Sequence, residues 1–252
     1  MPSMRLFALI PLCLLTLLPW VARAETAQIA VAANFAEPIK ALAAELERTT
    51  GHTLRITVGA TGKLYAQIKN GAPFDAFLAA DTKVPQALEN EGLIQPGSRF
   101  TYAKGQLVLW SANPQRVDDQ GGVLRRADLG KVAYANPKTA PYGAAAEQVM
   151  AAMGLTPTLT PHLVQGESIG QAYAFVYTGN ADVGFVALSQ VFENGRLKAG
   201  SMWRVPRNLY APIEQGTVVL KRGANNQAAH ALVQLMRSPQ GRALIRAYGY
   251  EI

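Results

Sequence analysis

The chain has a single cysteine, Cys13, and only three histidines in 252 residues. That scarcity excludes a disulfide scaffold and a thiolate-rich metal centre. His52, His162 and His230 show no paired spacing, so a histidine metal site is not expected either. Charge is also sparse: 16% of residues are charged and 49% are hydrophobic, which excludes a disordered chain. The formal charge of +7 is scattered, with Arg125-Arg126 as its densest group, so there is no basic stripe for nucleic acid. Beyond the first residues, no apolar run approaches the roughly 20 residues that span a bilayer.

The one apolar run is at the start. Arg5, then Leu6 to Leu18, then Ala22-Arg23-Ala24 make up a secretory signal peptide over 1–24, and Pro11 interrupts the run. Leu12 before Cys13 disfavours a lipid anchor. Cleavage after Ala24 is expected to leave an exported protein that begins at Glu25 and has no thiol.

The remainder alternates short strands with helices. Strands are expected at Gln28–Ala33, Leu54–Val58 and Phe74–Ala79, with helices over 36–48, Lys63–Lys69 and from Asp81 or Thr82 to Asn90. After Gln95-Pro96-Gly97 the pattern restarts with strands at Gln106–Trp110, Lys131–Ala135, His162–Gln165 and Val183–Leu188. The helices between them are Gly143–Met153 and Ile169–Tyr177. A strand at Pro212–Lys221 and two helices between Gln227 and Ala247 finish the chain. This alternation predicts an α/β protein of mainly parallel sheets covered by helices. A faint echo between Ala30–Asn34 and Val132–Asn136 hints at two similar halves.

Several strands run into a small polar turn and then a helix: Asn34 with Glu37 and Pro38, Gly59–Gly62, Ala140–Gly143 and Glu167-Ser168. Asn34 and Thr61 are read as N-caps, and each helix start offers unpaired N–H groups and a partial positive charge. Such turns lie at the carboxyl edge of a parallel sheet, where ligands bind. None of the four places Asp or Glu at the contact position. A donor-only site suits an anion that carries no proton, whereas an anion that carries one also requires an acceptor.

Three sets of blocks now resemble a known family. They are Val31-Ala32-Ala33-Asn34-Phe35, Ala60 to Ile68, and Gly71-Ala72-Pro73-Phe74-Asp75 to Asp81. Asn136-Pro137 to Gly143, Gly184 to Ala187, Ser238 to Gly241 and Tyr248-Gly249-Tyr250 extend the likeness over nearly the whole exported chain. Together they resemble the periplasmic molybdate-binding proteins of ABC importers. The resemblance implies two lobes, each a mainly parallel sheet flanked by helices, with a hinge and an interlobe ligand cleft. Residues 25–104 and 211–252 would form one lobe and 105–210 the other. It implies anion contacts from Ala33, Asn34, Thr61 and Tyr142 and from the backbone N–H of Ile169, with no protein ligand on the metal itself. Some relatives add a tyrosine hydroxyl where this chain has Ala187, and Asn34 is the candidate to replace that donor. The implied protein is a periplasmic monomer that is no enzyme and uses no cofactor. It binds no nucleic acid and hands molybdate, and also tungstate, to an importer's transmembrane subunits.

Two rivals remain. One is a binding protein for another anion, such as sulfate or a small carboxylate. The other is a secreted serine hydrolase: Gly166-Glu167-Ser168-Ile169-Gly170 fits G-x-S-x-G, with Asp182 and His230 following. A helix cap is the better expectation for Ser168. Gly59–Leu64 lacks the spacing and hydroxyl of a P-loop, and Trp110, Trp203 and the tyrosines are expected in packing.

Overall fold

The computed structural model describes residues 24–252, so the expected leader lies outside the described residues apart from Ala24. The strands are β1 (Thr26–Ala32), β2 (Thr53–Gly59), β3 (Ala76–Leu78), β4 (Phe100–Gly105), β5 (Leu107–Ser111), β6 (Val132–Ala135), β7 (Leu163–Gly166), β8 (Val183–Ala187), β9 (Phe192–Glu193), β10 (Arg196–Leu197), β11 (Ser201–Arg204) and β12 (Ile213–Val219). The helices are α1 (Ala36–Thr50), α2 (Thr61–Lys69), α3 (Lys83–Asn90), α4 (Pro141–Ala152), α5 (Thr156–Leu159), α6 (Ile169–Tyr177), α7 (Leu188–Val191), α8 (Gln227–Arg237) and α9 (Pro239–Ala247).

Two five-stranded sheets organise the chain, in the orders β2-β1-β3-β12-β4 and β7-β6-β8-β5-β11. They are built alike. In each, three strands run parallel, the fourth opposes them and the fifth opposes the fourth. Four of five strands therefore share one direction, which gives two mainly parallel lobes. The echo in sequence falls on β1 and β6, which hold the same place in the two sheets. The chain leaves the first sheet at Gly105, enters the second at Leu107, and returns from Arg204 to Ile213.

β1 shows why the sheet is covered on both faces. Ala27, Ile29 and Val31 join one core with Phe35, Leu42, Leu46 and the C-terminal helices, while Ala30 joins a second core with Leu64 and Phe77. Alternate side chains leave opposite faces, and both are buried, so the strand reads as an unbroken apolar run. α1 buries Ile39, Leu42 and Leu46 along one stripe and stops where Gly51 takes φ 73°. The second lobe has its own core, which Ala32, Ala33, Ala60 and Ala80 of the first lobe also touch. Small side chains on the facing edges let the two lobes come together there.

Some expectations are corrected. Phe74–Ala79 contributes only three strand residues, Ala76–Leu78. Two strands of the sheets, β4 and β11, were not expected, nor was the short helix α7. Neither Asn34 nor Thr61 is an N-cap. A 3-10 turn already begins at Ala33, and α2 begins at Thr61 itself, with Ala60 as its cap residue. Ser168 does cap α6, its Oγ accepting from the Gln171 N–H at 3.3 Å.

Candidate functional site

Four strand–helix turns meet between the lobes. They follow β1 and β2 in one sheet and β6 and β7 in the other, which are the matching positions of the two topologies. Between them lies a small cavity of about 10 Å³, the room of about one water, lined by Ala32, Ala33, Asn34, Gly59, Ala60, Thr61, Ala80, Ala140, Pro141, Tyr142 and Ile169. All five residues expected at the site are in this lining, and none of the lining side chains carries a charge.

Thr61 is buried, and its Oγ1 accepts from the Ala80 N–H at 3.0 Å. That bond fixes the oxygen and leaves the hydroxyl hydrogen for a guest. Tyr142 sits in the first turn of α4 and is 1% exposed, yet its hydroxyl has no hydrogen-bond partner. A buried polar group without a partner is rare, because it costs about 1–3 kcal/mol. Burial, with the nearby Tyr250 hydroxyl, holds its pKa well above 10, so it remains a neutral donor. The ring is admitted by Gly105, since a Cβ on Gly105 would collide with the Tyr142 hydroxyl. Ile169 is the first residue of α6, and a first-turn amide has no acceptor within its own helix.

Asn34 departs from its expected role. Its Nδ2 donates to Gln215 Oε1 at 2.7 Å and to the Tyr250 hydroxyl at 2.8 Å, which occupies both amide hydrogens. The orientation follows from the neighbours: Gln215 Nε2 donates to the Ile213 carbonyl at 2.9 Å, so Gln215 must turn its oxygen to Asn34. The Asn34 side chain is therefore not a spare donor in place of the tyrosine missing at Ala187. What is left to Asn34 is its main-chain N–H and a buried Oδ1 without a partner, which can only accept. At Ala187 the backbone N–H is held by Gln190 Oε1 at 2.9 Å.

The lobes also touch directly around the cavity. The Gly62 N–H donates to the Thr139 carbonyl at 2.9 Å, Ser189 Oγ donates to the Asn34 carbonyl at 2.7 Å, and Lys63 pairs with Glu167 at 2.6 Å. Both partners of that ion pair are more than half exposed, so it contributes little. A wider cleft opens alongside, sharing Ala80, Ala140 and Pro141 with the small cavity.

The hydrolase constellation does not assemble. Asp182 is engaged by Arg116 Nε at 2.8 Å, His230 Nε2 faces the Ala224 carbonyl at 2.8 Å on α8 of the other lobe, and Ser168 is a cap. Sequence reasoning missed Gln215, Ser189 and Gln190, which surround the site without lining it. Pro38 was the available signal. The Asn34 carbonyl would normally accept from the amide of residue 38, and proline has none, so a donor must come from elsewhere.

Two α/β lobes closing on a cavity of neutral donors define a protein that binds a small solute rather than one that transforms it. The chain belongs to the bacterial extracellular solute-binding proteins, whose family pattern matches residues 27–251. Among its relatives, Molybdate-binding protein ModA of Azotobacter vinelandii is 54% identical over 93% of each chain. Its namesake in Rhodobacter capsulatus is 53% identical over 88% of this chain and 86% of its own. The solved structure of the Azotobacter vinelandii periplasmic molybdate-binding protein superposes with a TM-score of 0.87 and 42% identity, covering 90% of this chain and 99% of that one.

Proposed function

We propose that this chain captures molybdate between its lobes and delivers it to the transmembrane subunits of an ABC importer. The observation that carries the reading is the buried, unpartnered Tyr142 hydroxyl in a cavity lined by no charged side chain. An oxyanion without a proton accepts hydrogen bonds and donates none, so it fits a lining of hydroxyls and first-turn amides. The high identity to two molybdate-binding proteins supports the same ligand.

The finer reading assigns contacts to the Thr61 and Tyr142 hydroxyls and to main-chain N–H groups at Ala33, Asn34 and Ile169. All of them reach oxygen atoms and leave the metal without a protein ligand. Tungstate, of the same charge and shape, is taken as well, and no cofactor takes part. Residues 25–104 with 211–252 move as one lobe and 105–210 as the other, in the hinge closure common to periplasmic binding proteins. The protein acts as a monomer in the periplasm after removal of residues 1–24.

Titration calorimetry and melting of the purified exported form test this reading. A ligand that binds only the folded state adds RT ln(1 + [L]/Kd), about 4 kcal/mol at 1,000 Kd. Molybdate and tungstate should raise the melting temperature clearly, sulfate little and phosphate not at all. An equal response to phosphate would defeat the donor-only site, and an equal response to sulfate would favour the rival anion.

A further inference from the structure

Asn34, Ser189 and Tyr250 are all buried, with exposures of 1%, 3% and 4%. Their polar atoms close a ring. Asn34 Nδ2 donates to the Tyr250 hydroxyl at 2.8 Å, that hydroxyl lies 3.1 Å from Ser189 Oγ, and Ser189 Oγ donates to the Asn34 carbonyl at 2.7 Å. The Tyr250 hydroxyl is also 3.0 Å from the Asn34 carbonyl, but it has only one proton. Sending that proton to Ser189 uses each donor once and runs the three bonds in one direction. Such chains polarise one another and strengthen together.

The ring takes two members from the first lobe and one from the second. Ser189 belongs to α7, which follows β8 directly, while the Asn34 turn follows β1 and Tyr250 packs in the first lobe's core. The next residue of α7, Gln190, donates through Nε2 to the Ile169 carbonyl at 3.1 Å while its Oε1 holds the Ala187 N–H. Four residues of helix thus grip one turn of the site in each lobe. Pro38 leaves the Asn34 carbonyl without its helical partner, so that carbonyl can serve as the receiving end.

We infer that Ser189 is a positioning residue for anion capture: from the second lobe it completes the Asn34–Tyr250 ring and holds the Asn34 turn against the Ile169 turn when the lobes close. The anion is then retained by contacts it does not itself make. This inference rests on the proposed oxyanion-binding function.

The test is a double-mutant cycle read by molybdate calorimetry and by stopped-flow dissociation. Ser189→Ala should weaken molybdate binding about 5- to 10-fold, mainly through faster release, with the melting temperature of the ligand-free protein unchanged. Tyr250→Phe should weaken binding too, and Ser189→Ala with Tyr250→Phe should cost less than the product of the two, because one break already opens the ring. Ser189→Ala with Thr61→Ala should multiply, since the Thr61 hydroxyl bonds the Ala80 N–H rather than a member of the ring. Ser189→Thr, which retains the hydroxyl, should bind molybdate more tightly than Ser189→Ala. Ser189→Ala binding as tightly as wild type, multiplying costs in the Tyr250 cycle, or a loss accounted for by a lower ligand-free melting temperature would each overturn the inference. Wild-type protein that binds no molybdate would instead overturn the function on which the inference rests.

Discussion

A tyrosine hydroxyl buried without a partner is a burden to the folded chain and an asset to the site. Tyr142→Phe removes the unpaired oxygen, so the ligand-free protein should keep or slightly raise its melting temperature. The same change deletes a hydrogen bond to a charged guest, worth roughly 1.5–3 kcal/mol, or about 10- to 150-fold in molybdate affinity. Thr61→Ala should behave differently. It loses the guest contact and also strands the Ala80 N–H, so ligand-free stability should fall by about 1 kcal/mol as affinity falls. Denaturant unfolding beside calorimetry separates the two, and equal stability losses in both variants would contradict these assigned roles. Asn34→Asp should destabilise the ligand-free protein near neutral pH, because a carboxylate would face Gln215 Oε1 and could no longer donate to it.

The elements around the site are short, and their ends do the positioning. α2 begins so close to the other lobe that the Gly62 N–H bonds the Thr139 carbonyl, and a Cβ on Gly62 would stand 3.1 Å from the Thr139 Cα. Gly62→Ala places a better helix former in α2, worth up to about 1 kcal/mol to the isolated lobe. It also wedges the lobes apart by a few tenths of an ångström. Ligand-free stability should therefore hold or rise while molybdate affinity drops several-fold. Unchanged affinity would show that the contact at Thr139 yields freely and has no part in closure. At the opposite edge the Glu251 backbone pairs with Lys104 while its carboxylate bonds Arg207 Nη1 at 2.6 Å. The chain end is tied down there, next to Tyr250.

Across the whole molecule, tyrosines gather where the lobes meet. Burial pushes Tyr102 and Tyr142 well above 10 and Tyr250 to about 12. A tyrosine with a raised folded pKa contributes its stability fully below the unfolded value of about 10 and loses it as pH climbs towards the folded value. Stability should therefore decline between pH 10 and about 12, followed by denaturant midpoints across that range. Tyrosinate absorbance should lag behind that of an unfolded control. A flat midpoint through pH 12 would mean that these hydroxyls reach water in the folded protein. The two sheets share one topology, so the site draws on matching strands, β1 with β6 and β2 with β7, rather than on one lobe alone.

The sequence by itself determined the alternation of strands and helices, the extent of α6 from Ile169 to Tyr177, and the four turns that line the cavity. These are local matters, decided by apolar periodicity, glycine stops and small residues within a few positions of one another. It also carried the family likeness, in blocks spread along the chain. Only the tertiary structure decided which way the Asn34 amide points, that Ser189 and Tyr250 meet it, and that β4 and β11 complete the sheets. Asn34 lies 155 residues from Ser189 and 216 from Tyr250, and no short-range pattern encodes such a pairing. The cap expected at Asn34 fails for a nearer reason: a 3-10 turn already runs from Ala33 to Phe35, so Asn34 is inside a helical turn and its Oδ1 meets no amide, while a glutamine oxygen 181 residues away fixes its Nδ2.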